Sequence, residues 1–261
     1  MVKFLASDFD GTLYRNNQIS ADDLNSIKKF KSENNKVIIA TGRSFKELKS
    51  ILNSYSFEYD YLVLCNGAII LDKNDTEISR NIISNETRKS IISKFHDVGN
   101  ALIYYDNGDC IKVIENKNVD TSNMEGDFLN NYSNIITLDE ALNDECDCEI
   151  MSIFSTNNSI ENSEKIKSLI QKEFSNTVDA FRNSFFVDIV SKGCSKGNAL
   201  LDVLKYENSS KEQLYCIGDS MNDVSMFKIT PNNYTFNYTE DVVKEHASHL
   251  VDSIFEVIDQ M

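Results

Sequence analysis

At 261 residues the chain is long enough for one large domain, or for a domain carrying an inserted module, with a sizeable core. Its 41% hydrophobic and 26% charged residues exclude a disordered chain, and 26 Lys+Arg against 41 Asp+Glu leave a net charge of −15. That balance repels nucleic-acid phosphates and anionic membranes, so neither is an expected partner; a small phosphorylated metabolite stays admissible if a metal ion and a few cations reverse the field inside one cleft.

The start, Met1-Val2-Lys3-Phe4-Leu5, runs directly into Asp8 and Asp10 without the apolar core of a signal peptide, and no apolar run is long enough to cross a bilayer. Lys3 to Ser7 reads as a strand. Ser20 then has the character of a helix N-cap, with Asp22 and Asp23 in the first turn, Ile19 placed to staple onto Leu24, and Leu24, Ile27 and Phe30 inward over a helix reaching about Asn34. Val37-Ile38-Ile39-Ala40 is a buried-strand run ending at Thr41-Gly42-Arg43. A helix with Phe45, Leu48, Ile51 and Leu52 on one face follows, and Tyr61 to Cys65 is a third strand ending at Asn66-Gly67. In open α/β sheets ligands bind beyond such carboxyl ends.

From about Ser84 to Val190 the texture changes. A helix (Glu86 to Val98), strands (Ala101 to Tyr105, Cys110 to Glu115), a short helix opened by the Thr137-Leu138-Asp139-Glu140 capping box, and a strand (Glu149 to Phe154) are followed by a long helix and two more strands. The long helix should turn Ile166, Leu169, Ile170 and Phe174 inward; the last strands run Val178 to Arg182 and Phe185 to Val190. Turns at Asp106-Asn107-Gly108 and Asn183-Ser184 make this an antiparallel α+β module. The βα texture resumes with a helix from Lys196 to Leu204 and a strand from Gln213 to Ile217, ending at Gly218-Asp219-Ser220. The expected division is therefore a catalytic core over 1–83 and 191–261 with an inserted module over 84–190. Six cysteines (Cys65, Cys110, Cys146, Cys148, Cys194, Cys216) form no CxxC pair, which points to reduced thiols and a cytoplasmic location, and Cys146-Asp147-Cys148 lacks the second half of a zinc site.

Asp8 and Asp10 sit two apart at a strand end, a spacing that sends both carboxylates to one face if strand geometry continues. One can attack phosphorus while holding a metal, and the other can protonate a leaving oxygen and later activate water. A surface turn is the plain alternative. Asp219, followed by Asn222 and Asp223, recurs at the end of a later strand and would complete an oxygen-rich magnesium site, or merely cap a helix. Thr41-Gly42 offers a hydroxyl and N–H groups to a phosphate at a helix start. Lys196 could bring an ammonium to the same phosphate, or lie in solvent.

Together, Asp8-Phe9-Asp10-Gly11-Thr12-Leu13, Thr41-Gly42-Arg43, Lys196-Gly197 and Gly218-Asp219-Ser220-x-Asn222-Asp223 resemble the four ordered motifs of the haloacid dehalogenase superfamily, and more narrowly its Cof-type hydrolases with a subfamily IIB cap. The resemblance covers essentially the whole chain. It implies an α/β, Rossmann-like core with a parallel sheet flanked by helices, an inserted α+β cap of type C2B, and Mg2+ as cofactor. By position it implies Asp8 as nucleophile and metal ligand, Asp10 as acid/base with its backbone carbonyl on magnesium, and Asp219 as metal ligand. Thr41 and Lys196 would hold the phosphoryl group, Phe9, Gly42 and Asn222 would contact phosphate or substrate, and Ser220, Asp223, Asn66 and Gly67 would support metal or loop. The segment Thr230 to Asn237 is bulkier and more polar than the glycine- and alanine-rich stretch the family carries there.

The expected function is magnesium-dependent hydrolysis of a small phosphomonoester, a sugar phosphate or similar, through an aspartyl-phosphate on Asp8. Phosphotransfer to a second sugar, as in phosphomutases, is the alternative within the superfamily, and a non-catalytic phosphometabolite sensor the alternative outside it. Lys112, Glu149 and Arg182 are the module's candidate substrate contacts.

Overall fold

A computed structural model describes residues 2–106, 110–119 and 134–261. The chain divides into two compact units, one of Met1–Arg80 with Cys194–Met261 and one of Asn81–Gly193.

The first unit opens with β1 (Phe4–Ser7), α1 (Ala21–Ser32), β2 (Lys36–Ala40), α2 (Phe45–Ser54), β3 (Tyr61–Leu64), β4 (Ile69–Asp72) and β5 (Glu77–Arg80). Ser20 caps α1, accepting from the Asp23 N–H. Asp23 is itself buried; it accepts from the Ser20 hydroxyl, Arg15 and the Phe255 N–H, where sequence reasoning gave it only a favourable place in the first turn.

The second unit comprises α3 (Asn85–Phe95), β6 (Ala101–Asp106), β7 (Ile111–Ile114), β8 (Ile135–Ile136), α4 (Leu138–Asn143), β9 (Ile150–Ser155), α5 (Ile160–Phe174), β10 (Val178–Asn183) and β11 (Phe186–Ser191). Its sheet runs β10-β11-β9-β6-β7-β8, antiparallel except for the β7–β8 pair. Ile91, Ile92 and Phe95 of α3 and Ile166 and Ile170 of α5 pack with Ile103, Met151, Ile153, Val187 and Ile189 into one core. Each such side chain contributes about 1.5–3 kcal/mol by leaving water. The Thr137–Glu140 capping box opens α4. Ser184 takes a positive φ in the β10–β11 turn, whereas Asn107 and Gly108 lie outside the described residues. Leu169, expected inward, is 38% exposed, so the buried stripe of α5 is the narrower one of Ser163, Ile166 and Ile170.

The chain then returns to the first unit with α6 (Lys196–Tyr206), β12 (Leu214–Ile217), α7 (Val224–Phe227), β13 (Asn233–Phe236), α8 (Asp241–Lys244), β14 (His249–Val251) and α9 (Ile254–Asp259). The sheet order is β14-β13-β12-β1-β2-β3-β4-β5. From β14 to β3 the pairs are parallel, as expected; β4 and β5 extend the sheet antiparallel, which the sequence reading did not foresee. Phe4 and Ala6 of β1 join Ala199, Leu200 and Val203 of α6 in one cluster, and strand alternation sends Leu5 and Ser7 to the opposite face. Thr230 to Asn237 comprises a short loop and β13, with the strand residues Asn233 and Thr235 buried. Among the described residues no helix is long and apolar enough to cross a membrane, and all six cysteines are thiols.

Candidate active site

Three strands of the core unit deliver the site. The N–H of Asp8 continues the β1–β12 ladder by donating to Ile217 O at 2.9 Å, which leaves the carboxylate just past the strand end, 5% exposed. Gly11 then turns the chain at φ +79°, in the left-handed region. A Cβ there would lie 2.5 Å from Asp219 Oδ2, so the backbone itself rests on that carboxylate. The Thr12 hydroxyl donates to Asp219 Oδ1 at 2.9 Å and pins the loop after β1 to the loop after β12.

Lys196, first residue of α6, is 1% exposed, and its Nζ donates to Asp8 Oδ1 at 2.6 Å and Asp223 Oδ1 at 2.7 Å. The other oxygen of Asp223 accepts from the N–H groups of Asp219 and Ser220, both at 3.0 Å, so this carboxylate shapes the loop as well as holding the lysine. Burial alone would drive the Lys196 ammonium toward neutrality; the charges of Asp223 and Asp8 outweigh it and hold its pKa above the usual lysine range. Burial, with the charge of Asp223 added and despite the pull of Lys196, raises Asp8 well above the ordinary carboxylate range. Asp219 is pushed up to about 6, first by burial and then by Asp223.

Asp8, Asp219 and Asp223 each place an oxygen within 4.8 Å of the others. Three carboxylates share one ammonium, and two of them have raised pKa values; both facts describe a cluster short of positive charge. A hard divalent cation with oxygen ligands would fit that deficit, and Asp8 and Asp219 could hold it, because both oxygens of Asp223 are already engaged by Lys196 and two backbone N–H groups.

Around this centre, Thr41 is buried at the end of β2, its carbonyl accepting from Asn66 N–H at 2.9 Å and its hydroxyl from Arg43 N–H at 3.1 Å. Asn66 and Gly67 form a short 3-10 turn, and Gly67 lies so close to Ser195 that a Cβ would come 2.3 Å from its carbonyl oxygen. Asn222 donates to Asn66 Oδ1 at 3.2 Å, while its own Oδ1 is buried with no hydrogen-bond partner. An orphan acceptor at the rim of an anionic cluster suits a ligand that brings a donor, such as metal-bound water or a protonated phosphate oxygen. Two residues depart from expectation. The Asp10 side chain lies outside the carboxylate cluster, 45% exposed and held by Arg43 through two bonds of 2.7 and 2.8 Å, because the strand stops at Ser7 and alternation no longer applies. Phe9 is wholly buried, stacked 5.2 Å from Tyr14, so only its backbone is available to a ligand.

A family model for haloacid dehalogenase-like hydrolases matches residues 5–256. The chain belongs to that family. Among curated relatives it is 25% identical to the 5-amino-6-(5-phospho-D-ribitylamino)uracil phosphatase YcsE of Bacillus subtilis over 98% of this chain and 92% of that one. Its fold is similar to SMU.1108c from Streptococcus mutans, with a TM-score of 0.84 at 20% identity over 100% and 98% of the two chains. It is also similar to the subclass IIB sugar phosphatase BT4131, with a TM-score of 0.77 at 22% identity over 98% and 95%. The chain is a phosphatase-type enzyme of the haloacid dehalogenase-like family, with the Cof-type architecture of a Rossmann-like core and an α+β insertion.

Two of the insertion's candidate contacts have side-chain work inside their own unit: Lys112 pairs with Asp144 at 2.5 Å, and Arg182, 2% exposed, pairs with Glu164 at 2.8 Å. Glu149 is buried just before β9, its backbone N–H donating to Asp106 O. Sequence reasoning passed over three core residues that hold the loops bearing the site: Thr12 and Arg43, which lay inside motifs quoted for their neighbours, and Tyr238. The last donates its hydroxyl to Gly11 O at 2.6 Å from 227 positions away, a partnership with no local sequence signal.

Proposed function

We propose that this enzyme is a Mg2+-dependent phosphatase that hydrolyses a small phosphorylated metabolite, a sugar phosphate or similar monoester, through an aspartyl-phosphate on Asp8. The observation that carries this reading is the fully buried Lys196 ammonium bridging Asp8 and Asp223 in a cluster where carboxylates outnumber cations. The names of two relatives, a ribitylaminouracil phosphatase and a sugar phosphatase, favour small phosphomonoesters as the class.

On this reading a carboxylate oxygen of Asp8 attacks phosphorus, and the bond from phosphorus to the leaving oxygen breaks. Asp10 delivers a proton to that oxygen, then takes one from the water that cleaves the acyl phosphate. To act as the acid Asp10 must leave the Arg43 fork, whose two hydrogen bonds engage both of its carboxyl oxygens. Lys196, the Thr41 hydroxyl and the N–H groups of Phe9 and Gly42 offset charge spread over the phosphoryl oxygens, Asn222 orients the group, and Asp223 holds the lysine in place. Mg2+, held by Asp8, Asp219 and the Asp10 carbonyl, would supply Lewis acidity and charge compensation. Ser220, Asn66 and Gly67 fix the loops. The unit Asn81–Gly193 discriminates among leaving groups, and the site of action is the cytoplasm, in keeping with six thiols.

The test is a panel of phosphorylated metabolites assayed for phosphate release with Mg2+ and with EDTA, for the wild type and Asp8→Asn. Mg2+-dependent release that falls by about 10³-fold or more in the variant is expected. Near-normal release by Asp8→Asn would overturn the mechanism.

A further inference from the structure

Tyr238 is 57% exposed, yet its ring is not loose. It stacks on Phe236 at 4.8 Å and 12°, and the Arg15 guanidinium lies 4.9 Å over the other ring of that pair. Arg15 is anchored in turn by Asp23 at 3.1 Å and by the Asp252 carbonyl at 3.1 Å. The tyrosine hydroxyl, so aimed, donates to the carbonyl of Gly11 at 2.6 Å. A phenol ordinarily ionises at about pH 10, so this hydroxyl remains a donor throughout the neutral range.

Gly11 is the residue whose backbone touches the Asp219 carboxylate, and the next side chain, Thr12, donates to that carboxylate. The peptide unit joining Gly11 to Thr12 is thus gripped on one side by Tyr238 and on the other by Asp219. A side chain arriving from beyond the end of β13 therefore sets how closely the turn after Asp8 approaches Asp219. We propose that Tyr238 is a positioning residue for the metal-holding pair Asp8 and Asp219, acting through the Gly11 carbonyl. This rests on the proposed function, because it takes the cluster to be the seat of a divalent cation.

An open cavity of about 420 Å³ lined by Gly11, Tyr14, Arg15, Asn16 and Tyr238 borders the ring, so Tyr238→Phe removes one hydrogen bond without opening a hole in the core. The probe is Mn2+ binding to the full chain, measured directly by the electron paramagnetic resonance of free Mn2+, for wild type, Tyr238→Phe and Asp219→Asn. One hydrogen bond to a neutral carbonyl corresponds to a three- to tenfold effect, so Tyr238→Phe is expected to weaken Mn2+ binding by roughly that factor. The half-saturating Mg2+ for phosphate release should rise in parallel, while kcat at saturating Mg2+ moves by less than about twofold. Melting temperature in EDTA should stay within about 2 °C of the wild type, as for other surface changes.

Unchanged Mn2+ affinity in Tyr238→Phe, with Asp219→Asn showing the expected loss, overturns the positioning role and leaves the proposed function standing. A melting temperature that falls in EDTA while Mn2+ affinity is unaltered assigns the hydroxyl to folding alone and also overturns it. A wild type that neither binds Mn2+ nor releases phosphate removes the proposed function and this role together.

Discussion

Among the described residues Arg88 of the second unit and Lys196 of the first are both fully buried, and the two are satisfied in opposite ways. Arg88 in α3 donates to the carbonyls of Cys146, Ala141 and Asp144 and to Asn85 Oδ1, and its guanidinium lies 4.6 Å over the Tyr105 ring. Every one of those acceptors is uncharged, so the arginine ties the segment after α4 to α3 without placing a second charge in the interior. Lys196 in α6 faces two carboxylates, with a third close by. A fold needing only stability has little reason to gather three acids around one base, since desolvating them costs more than a neutral packing would. Surplus buried charge of one sign is thus the mark of chemistry, and buried charge dissolved into backbone acceptors is the mark of construction.

The contrast breaks if the two cations respond alike to removal. Lys196→Met should lower kcat/KM by at least about 10³-fold, because phosphoryl stabilisation and the hold on the nucleophile go together; a steady-state assay on the preferred monoester reads it. Arg88→Leu should cost about 3 kcal/mol in denaturant-induced unfolding, since three backbone carbonyls, that of Ala141 buried and two part-buried, lose their donor, while the Mg2+ requirement of the folded fraction stays unaltered. The smallest effect sharpens the picture through pH. Asp219 has an ordinary unfolded value of about 3.9 and a folded one raised to about 6. The folded state therefore binds the proton more tightly, and that contribution is complete below about pH 4 and lost as pH rises through about 6. Metal-free protein in EDTA should lose on the order of 2 kcal/mol across that window, Asp8 adding to it in the same sense, and Mg2+ should cancel the loss. A melting temperature in EDTA that is flat from pH 4 to 7 would deny the carboxylate surplus.

Much of this was legible because the informative signals are local. Ser20 and Thr137 cap helices through bonds to residues three positions on, and the motifs at Asp8, Thr41, Asn66 and Asp219 all fall at strand ends. What escaped was too short to show a period or was decided by distant partners. β4 and β5 are four-residue strands, and the turn between them is built by Asp72 accepting from the N–H groups of Asn74 and Thr76, which periodicity over so short a run does not reveal. Asp10 turned to Arg43 because the chain leaves strand geometry at Asp8, a boundary set by the Gly11 turn. Asp223 was assigned a supporting part, although it holds both Lys196 and the Asp219–Ser220 backbone; nothing in a sequence distinguishes a carboxylate that meets a buried ammonium from one that meets water.

Gly11, Gly67, Gly197 and Gly218 have a consequence for how such an enzyme evolves. A methyl group at any of the four would land 2.2–2.5 Å from an atom of Asp219, Ser195, Ser225 or Asp223. The loops that carry the reacting groups are therefore closed to gradual change: one-step replacements at these points collide with backbone or carboxylate instead of reshaping the cleft by degrees. Lineages diverging from this chain must alter what they accept as substrate by varying side chains elsewhere, keeping the reaction fixed while its repertoire drifts.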